Sequence, residues 1–134
     1  FGQHSGVIDV NKDKYQLPRF PINEKYGDLD RFKFVIDLLP LQYKSIEPVD
    51  MYITQNNPPK LIIEFFESQK NIEKINCFSD EGNGWDKSKL NLIENKIFIQ
   101  FRDKFNFRRG RINCSLNDNG KWRWFGVQFV VINN

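Results

Sequence analysis

Apolar and polar residues alternate with a period of two over most of this chain, most cleanly in its last third. Ile112, Cys114 and Leu116 share one face of an extended segment at 109–116, and Phe125, Val127, Phe129 and Val131 share one face at 121–132. Between them lies Asn117-Asp118-Asn119-Gly120, a run that tolerates left-handed backbone, so the pair reads as a β-hairpin. Short segments rich in β-branched and aromatic residues recur at 51–54, 60–67, 72–78, 88–93 and 96–102. Turn-forming runs such as Asn56-Asn57-Pro58-Pro59 and Asp80-Glu81-Gly82-Asn83-Gly84 separate them. This rhythm predicts a mostly β protein, an antiparallel β-sandwich or barrel with the sandwich preferred. One stretch changes period: Phe32, Val35, Ile36 and Leu39 recur at helical spacing, Asp28 can cap a helix over 29–38, and Pro40 stops it. Residues 1–27 are irregular, with a short strand expected at 7–10 and an extended, Pro-bounded segment at 17–21.

The hairpin carries the most suggestive side chains. Trp122, Trp124 and Gln128 fall on the face opposite the core set, Arg123 lies between the rings in sequence, and Arg111 is available from the preceding strand. Two accounts fit. The rings can be sheet packing, covered by a loop or a second layer. They can also be a platform for something flat, such as a sugar, a base or another protein. A pyranose has an apolar C–H face that packs on aromatic rings, and arginine and glutamine bond hydroxyls. Trp122, Trp124, Arg111 and Gln128 are therefore the candidate glycan-binding set.

The two cysteines occupy matched strings, Lys74-Ile75-Asn76-Cys77 and Arg111-Ile112-Asn113-Cys114. Each shares a strand face with the isoleucine two residues before it, so both thiols are expected to point into the core. A bridge between Cys77 and Cys114 would close a loop of about 37 residues, stabilise by roughly 4 kcal/mol in the chain-entropy model, and indicate an oxidising compartment. Two buried free thiols also fit.

Composition narrows the function classes. A length of 134 residues suits one domain, or one domain with an extension, and 13 phenylalanines can build its core. The 20 basic and 17 acidic residues are well mixed and leave a net charge of only +3, which argues against a dedicated nucleic-acid binder. The one basic concentration, Arg102, Lys104, Arg108, Arg109 and Arg111, reads as a solvated surface or as a contact for an anionic polymer. No apolar run approaches the roughly 20 residues of a membrane span. The chain has no signal-peptide pattern at its start and opens on Phe1 rather than Met, so a fragment or processed product is expected. His4 is the only histidine, which rules out a multi-histidine metal site within these residues and leaves any Ser-His-Asp or Cys-His arrangement dependent on it. No Gly-rich phosphate loop is present. Local chemistry thus favours a binding or accessory module over a complete enzyme.

Phe1-Gly2-Gln3-His4-Ser5-Gly6-Val7, then Leu17-Pro18-Arg19-Phe20-Pro21, Asn23-Glu24 and Tyr26-Gly27-Asp28-Leu29, resembles the end of the catalytic domain of bacterial polysaccharide deacetylases, the NodB-homology group of carbohydrate esterase family four. Arg111-Ile112-Asn113-Cys114-Ser115 with Gly120-Lys121-Trp122-Arg123-Trp124-Phe125-Gly126 is similar to the β-domain that follows the barrel in some members. The resemblance implies that 1–40 is the tail of a distorted (β/α) barrel and 41–134 an accessory β-sandwich that binds glycan or braces the barrel. It implies an exported, periplasmic or secreted protein whose partners are the rest of the catalytic domain and an aminosugar polysaccharide, not nucleic acid. The family removes N-acetyl groups using zinc or another divalent metal. The Asp-Asp and His-x-x-x-His segments that supply its ligands and base do not occur here, so no catalytic residue carries over. His4 and Arg19 fall in a matching segment and could edge the active-site cleft. The alternative is a non-enzymatic interaction module.

Overall fold

The computed structural model describes residues 5–7, 19–20 and 29–132. The fold is mostly β, with one short helix and two sheets rich in antiparallel pairs, in a sandwich-like arrangement. The helix, α1, spans Leu29–Ile36. The strands are β1 (Leu39–Pro40), β2 (Ser45–Glu47), β3 (Tyr52–Ile53), β4 (Leu61–Glu64), β5 (Asn76–Asp80), β6 (Asp86–Lys87), β7 (Lys89–Ile93), β8 (Lys96–Gln100), β9 (Arg109–Asp118) and β10 (Lys121–Val131).

One sheet runs β1-β10-β9-β5-β6. The other runs β2-β4-β8-β7, entirely antiparallel. The first departs from the antiparallel expectation at two places. Both β1 and β3 pair in parallel with the free side of β10, β1 at Arg123–Trp124 and β3 at Val130–Val131. They are only two residues long. Strands of two or three residues carry no alternation to read, which is why β1, β2 and β6 have no signature in the sequence. Because β1 begins at Leu39 and Leu38 is already buried, the sheet takes in residues on the N-terminal side of the expected boundary at 40.

The core lies between the inner faces. Ile112, Cys114 and Leu116 of β9 and Phe125, Val127 and Phe129 of β10 meet Leu61 and Ile63 of β4 and Ile97 and Ile99 of β8. Phe101, Phe105 and Phe129 form a mutually edge-on or tilted cluster with centroids 5.0–5.6 Å apart, a geometry that brings ring edges to ring faces. Gly110 is required by this cluster, since a Cβ there would collide with the Phe105 ring. Cys77 and Cys114 are directly opposed on β5 and β9 and form a disulfide.

Two expectations change in detail. The segment 72–78 is not one strand: Asn71 adopts left-handed backbone with φ 64°, Ile72–Lys74 coil into a 3-10 turn, and pairing starts at Asn76. The helix is shorter than 29–38 and buries none of its residues. Phe32 and Ile36, expected on its buried stripe, are exposed, whereas Phe34, from near the opposite side of the helix, meets Trp122. Apart from Val7, which is not in a strand, the strand expected at 7–10 lies outside the described residues, as do most of the segment at 17–21 and the cap expected at Asp28.

Candidate functional site

The hairpin of β9 and β10 is held by ten consecutive residue pairs, from Lys121 opposite Asp118 to Val130 opposite Arg109. Its turn is fixed by Asn119 and Gly120 in positive-φ backbone and by the Asn117 carboxamide oxygen accepting from the Gly120 N–H at 2.8 Å. Beside the turn, Asp118 accepts from the Arg123 guanidinium at 3.0 Å and from the Asn71 amide at 3.1 Å, contacts that hold its carboxyl below the usual aspartate range. Arg123 also donates to the Pro40 carbonyl at 3.2 Å. Its side chain is therefore committed to the turn and to β1, on the face opposite the tryptophans. A polar recess of about 260 Å³ between Gln69, Asp118 and Arg123 adjoins it.

The outer face of this sheet divides into two regions. Toward the turn, the chain's own earlier residues meet the hairpin. Phe20 sets its ring edge-on to Trp124 at 5.6 Å, and Phe34 of α1 does the same to Trp122 at 6.1 Å. The Ser5 carbonyl lies over Gly126, close enough that any Cβ there would displace it, and Gly6 beside it is buried. Trp124 is partly covered, and its buried indole N–H has no hydrogen-bond partner. Trp122 remains 39% exposed.

Arg111 and Gln128 lie directly opposite one another, four residues along β10 from Trp124. At the rise of an extended chain that is about 13 Å, so the expected four-residue set does not converge on one spot. Arg111 instead lays its guanidinium 5.2 Å from the ring centre of Trp85, in the loop between β5 and β6. Arg111 and Gln128 line a groove of about 450 Å³ together with Asp80, Gly82, Phe107 and Arg109.

The groove's walls are built from loops pinned in several ways. Asp80 accepts the backbone N–H of Gly82 at 2.8 Å and of Gly84 at 3.2 Å. Gly82 has a φ of 125°, and the Phe107 ring leans into the space a side chain would need. Glu81, 2% exposed, pairs with Arg102 at 3.1 Å, and Arg102 donates to the carbonyls of Ser79 at 2.7 Å and Gly84 at 2.9 Å. On the other wall, the Asn57 amide both donates to the Phe105 carbonyl at 3.1 Å and accepts from its N–H at 2.8 Å.

Trp85, Phe107 and Asp80 were not legible as site residues, because a Gly-rich loop and a phenylalanine between basic residues read as ordinary turns. The basic concentration at Arg108–Arg111 was the one available signal. Arg19 is exposed, and His4 lies outside the described residues. Among the described residues no three His, Cys, Asp or Glu side chains gather as a metal ion requires, so the divalent metal that the resemblance implies finds no site among them. Nor is any described helix long and apolar enough to cross a membrane. No protein-family model, curated protein or solved structure matches this chain. The fold and its sites define a disulfide-bridged, sandwich-like β-domain with its own upstream residues laid across one end of a sheet face and an arginine-aromatic groove at the other.

Proposed function

We propose that this chain is the C-terminal part of a metal-dependent N-deacetylase of aminosugar polymers, and that its β-sandwich braces the end of the catalytic barrel. The observation that carries this reading is the Ser5 carbonyl seated over Gly126. Ser5, Gly6 and Phe20 belong to the segments that resemble the closing part of the barrel, and Gly126 and Trp124 to the string that resembles the β-domain. The two halves of the resemblance therefore meet in one contact. Trp122 and Trp124 then act as a clamp on upstream chain. The exposed apolar residues of α1, Leu29, Phe32 and Ile36, are the surface the remainder of the barrel would cover. That remainder would hold the metal and the base. The disulfide suits an exported, periplasmic or secreted protein.

The same exposed helix favours the second reading, a non-enzymatic module that meets a separate protein. Reading the coding sequence upstream of Phe1 separates the two. An Asp-Asp segment and a His-x-x-x-His segment in the same frame are expected. A frame that starts at Phe1, or that runs upstream without those segments, overturns the deacetylase assignment.

A further inference from the structure

We infer that the groove between the Asp80–Gly84 loop and the Phe105–Arg111 segment is a binding site for an acidic saccharide, a sugar unit bearing a carboxylate. This inference rests on the groove's own residues and stands whether or not the chain belongs to a deacetylase.

Charge comes first. Arg109 and Arg111 both line the groove, and among the described residues neither forms an ion pair. The one carboxylate in the lining, Asp80, has an oxygen engaged by the N–H groups of Gly82 and Gly84. The lining therefore offers two guanidinium groups free to take an anion, and guanidinium matches a carboxylate in shape as well as charge.

Aromatic surface comes second. Phe107, in the lining, is 63% exposed, and Trp85, 44% exposed, carries the Arg111 guanidinium across its ring. The cation–π contact fixes the direction of the Arg111 side chain before any ligand arrives, which reduces the ordering cost of binding. A pyranose ring presents an apolar face for such rings.

Unspent hydrogen bonding comes third. Gln128 lines the groove, and its carboxamide oxygen is buried without a partner. A buried polar atom left unpaired is unfavourable, and a ligand hydroxyl or amide N–H would satisfy it. The mixture of donors and acceptors within about 450 Å³ suits a hydroxyl-bearing ring and falls in the usual range of small-ligand sites, roughly 300–1,000 Å³. A nucleic-acid track would instead require a continuous basic stripe, and the chain's net charge of +3 does not supply one.

The test is calorimetric titration of the full chain at low salt with a four-residue galacturonic acid oligomer. The uncharged four-residue N-acetylglucosamine oligomer and a single-stranded oligonucleotide are run in parallel. Saturable binding of the acidic oligomer is expected, at least tenfold tighter than either comparator. Arg109→Gln and Arg111→Gln should each weaken it about tenfold, with the thermal melt unchanged because both side chains reach solvent. Lys89→Gln, on the other sheet, removes the same charge and should leave binding intact. Absence of saturable binding, equal affinity for the uncharged oligomer or the oligonucleotide, or an equal loss from Lys89→Gln would each overturn the inference.

Discussion

Single residues in this protein are fixed by what they lose on exposure or gain a partner from. Asp118 is the clearest titratable case. Its carboxylate is held by Arg123 and then by Asn71, so its folded pKa lies below the ordinary value of 3.8. A carboxyl depressed on folding stabilises the folded state above its unfolded pKa, and that contribution fades as pH falls toward the folded value. Asp118→Asn should therefore lower stability at pH 7, and the gap to wild type should narrow as pH falls through and below the ordinary aspartate value. Urea midpoints measured across that fall in pH check this, and a gap that persists undiminished at the acid end would contradict it. Glu81 shows a different logic. It is almost wholly buried, and Arg102 answers its charge while fastening the Gly84 loop, so one arginine serves both the core's polar edge and the wall of the groove.

Between elements, the joints depend on backbone approach and on cross-strand pairing. Gly126 lets residues 5–7 lie against β10. Gly126→Ala should push that segment off the sheet while the ladder of β9 and β10 persists. The expected cost is roughly 1–3 kcal/mol, the usual range for overpacking. Hydrogen exchange should accelerate at residues 5–7 and leave β9 protected, and tryptophan emission should shift to the red. Unchanged exchange at 5–7 would show that the contact is not a joint. The disulfide between β5 and β9 ties the Gly-rich loop and all of β6–β8 into a closed loop of 37 residues' separation. Cys77→Ala with Cys114→Ala should remove about 4 kcal/mol, read from chemical denaturation of the oxidised wild type and the double variant. A loss below about 1 kcal/mol would show that the unbridged chain is constrained in some other way.

On the scale of the whole molecule, the proposed division of labour puts binding and bracing in these residues and the chemistry upstream. The chain alone should release no acetate from an N-acetylglucosamine oligomer with zinc or cobalt present, because the Asp-Asp and His-x-x-x-His segments that the resemblance calls for do not occur in it. A product above the buffer background that vanishes with chelator would contradict this.

The alternating pattern was enough to determine the β class, the long hairpin, the inward set on β9 and β10, and the alignment that puts Cys77 and Cys114 on core-facing positions. Those features follow from a side-chain period of two acting over five or more residues. Of the two matched strings only the cysteines face each other, because β5 and β9 pair antiparallel with Asn76 opposite Ser115 and Phe78 opposite Asn113. β1 left no periodic trace, and β3 was legible as a segment at 51–54 without its partner, so only the folded chain placed both along β10. The helix was legible in its position and not in its packing, since an apolar stripe does not say which element it meets. The tertiary structure also decided the fate of Arg123, Arg111 and the tryptophans. Sharing a strand face does not bring side chains four residues apart within reach of one ligand, and a loop distant in sequence supplied Trp85. The groove is assembled from β5, β9, β10 and the loops between them. Local spacing relates Phe107, Arg109 and Arg111, but Asp80, Gly82 and Gln128 come from segments well separated from them along the chain, and only the fold brings these together.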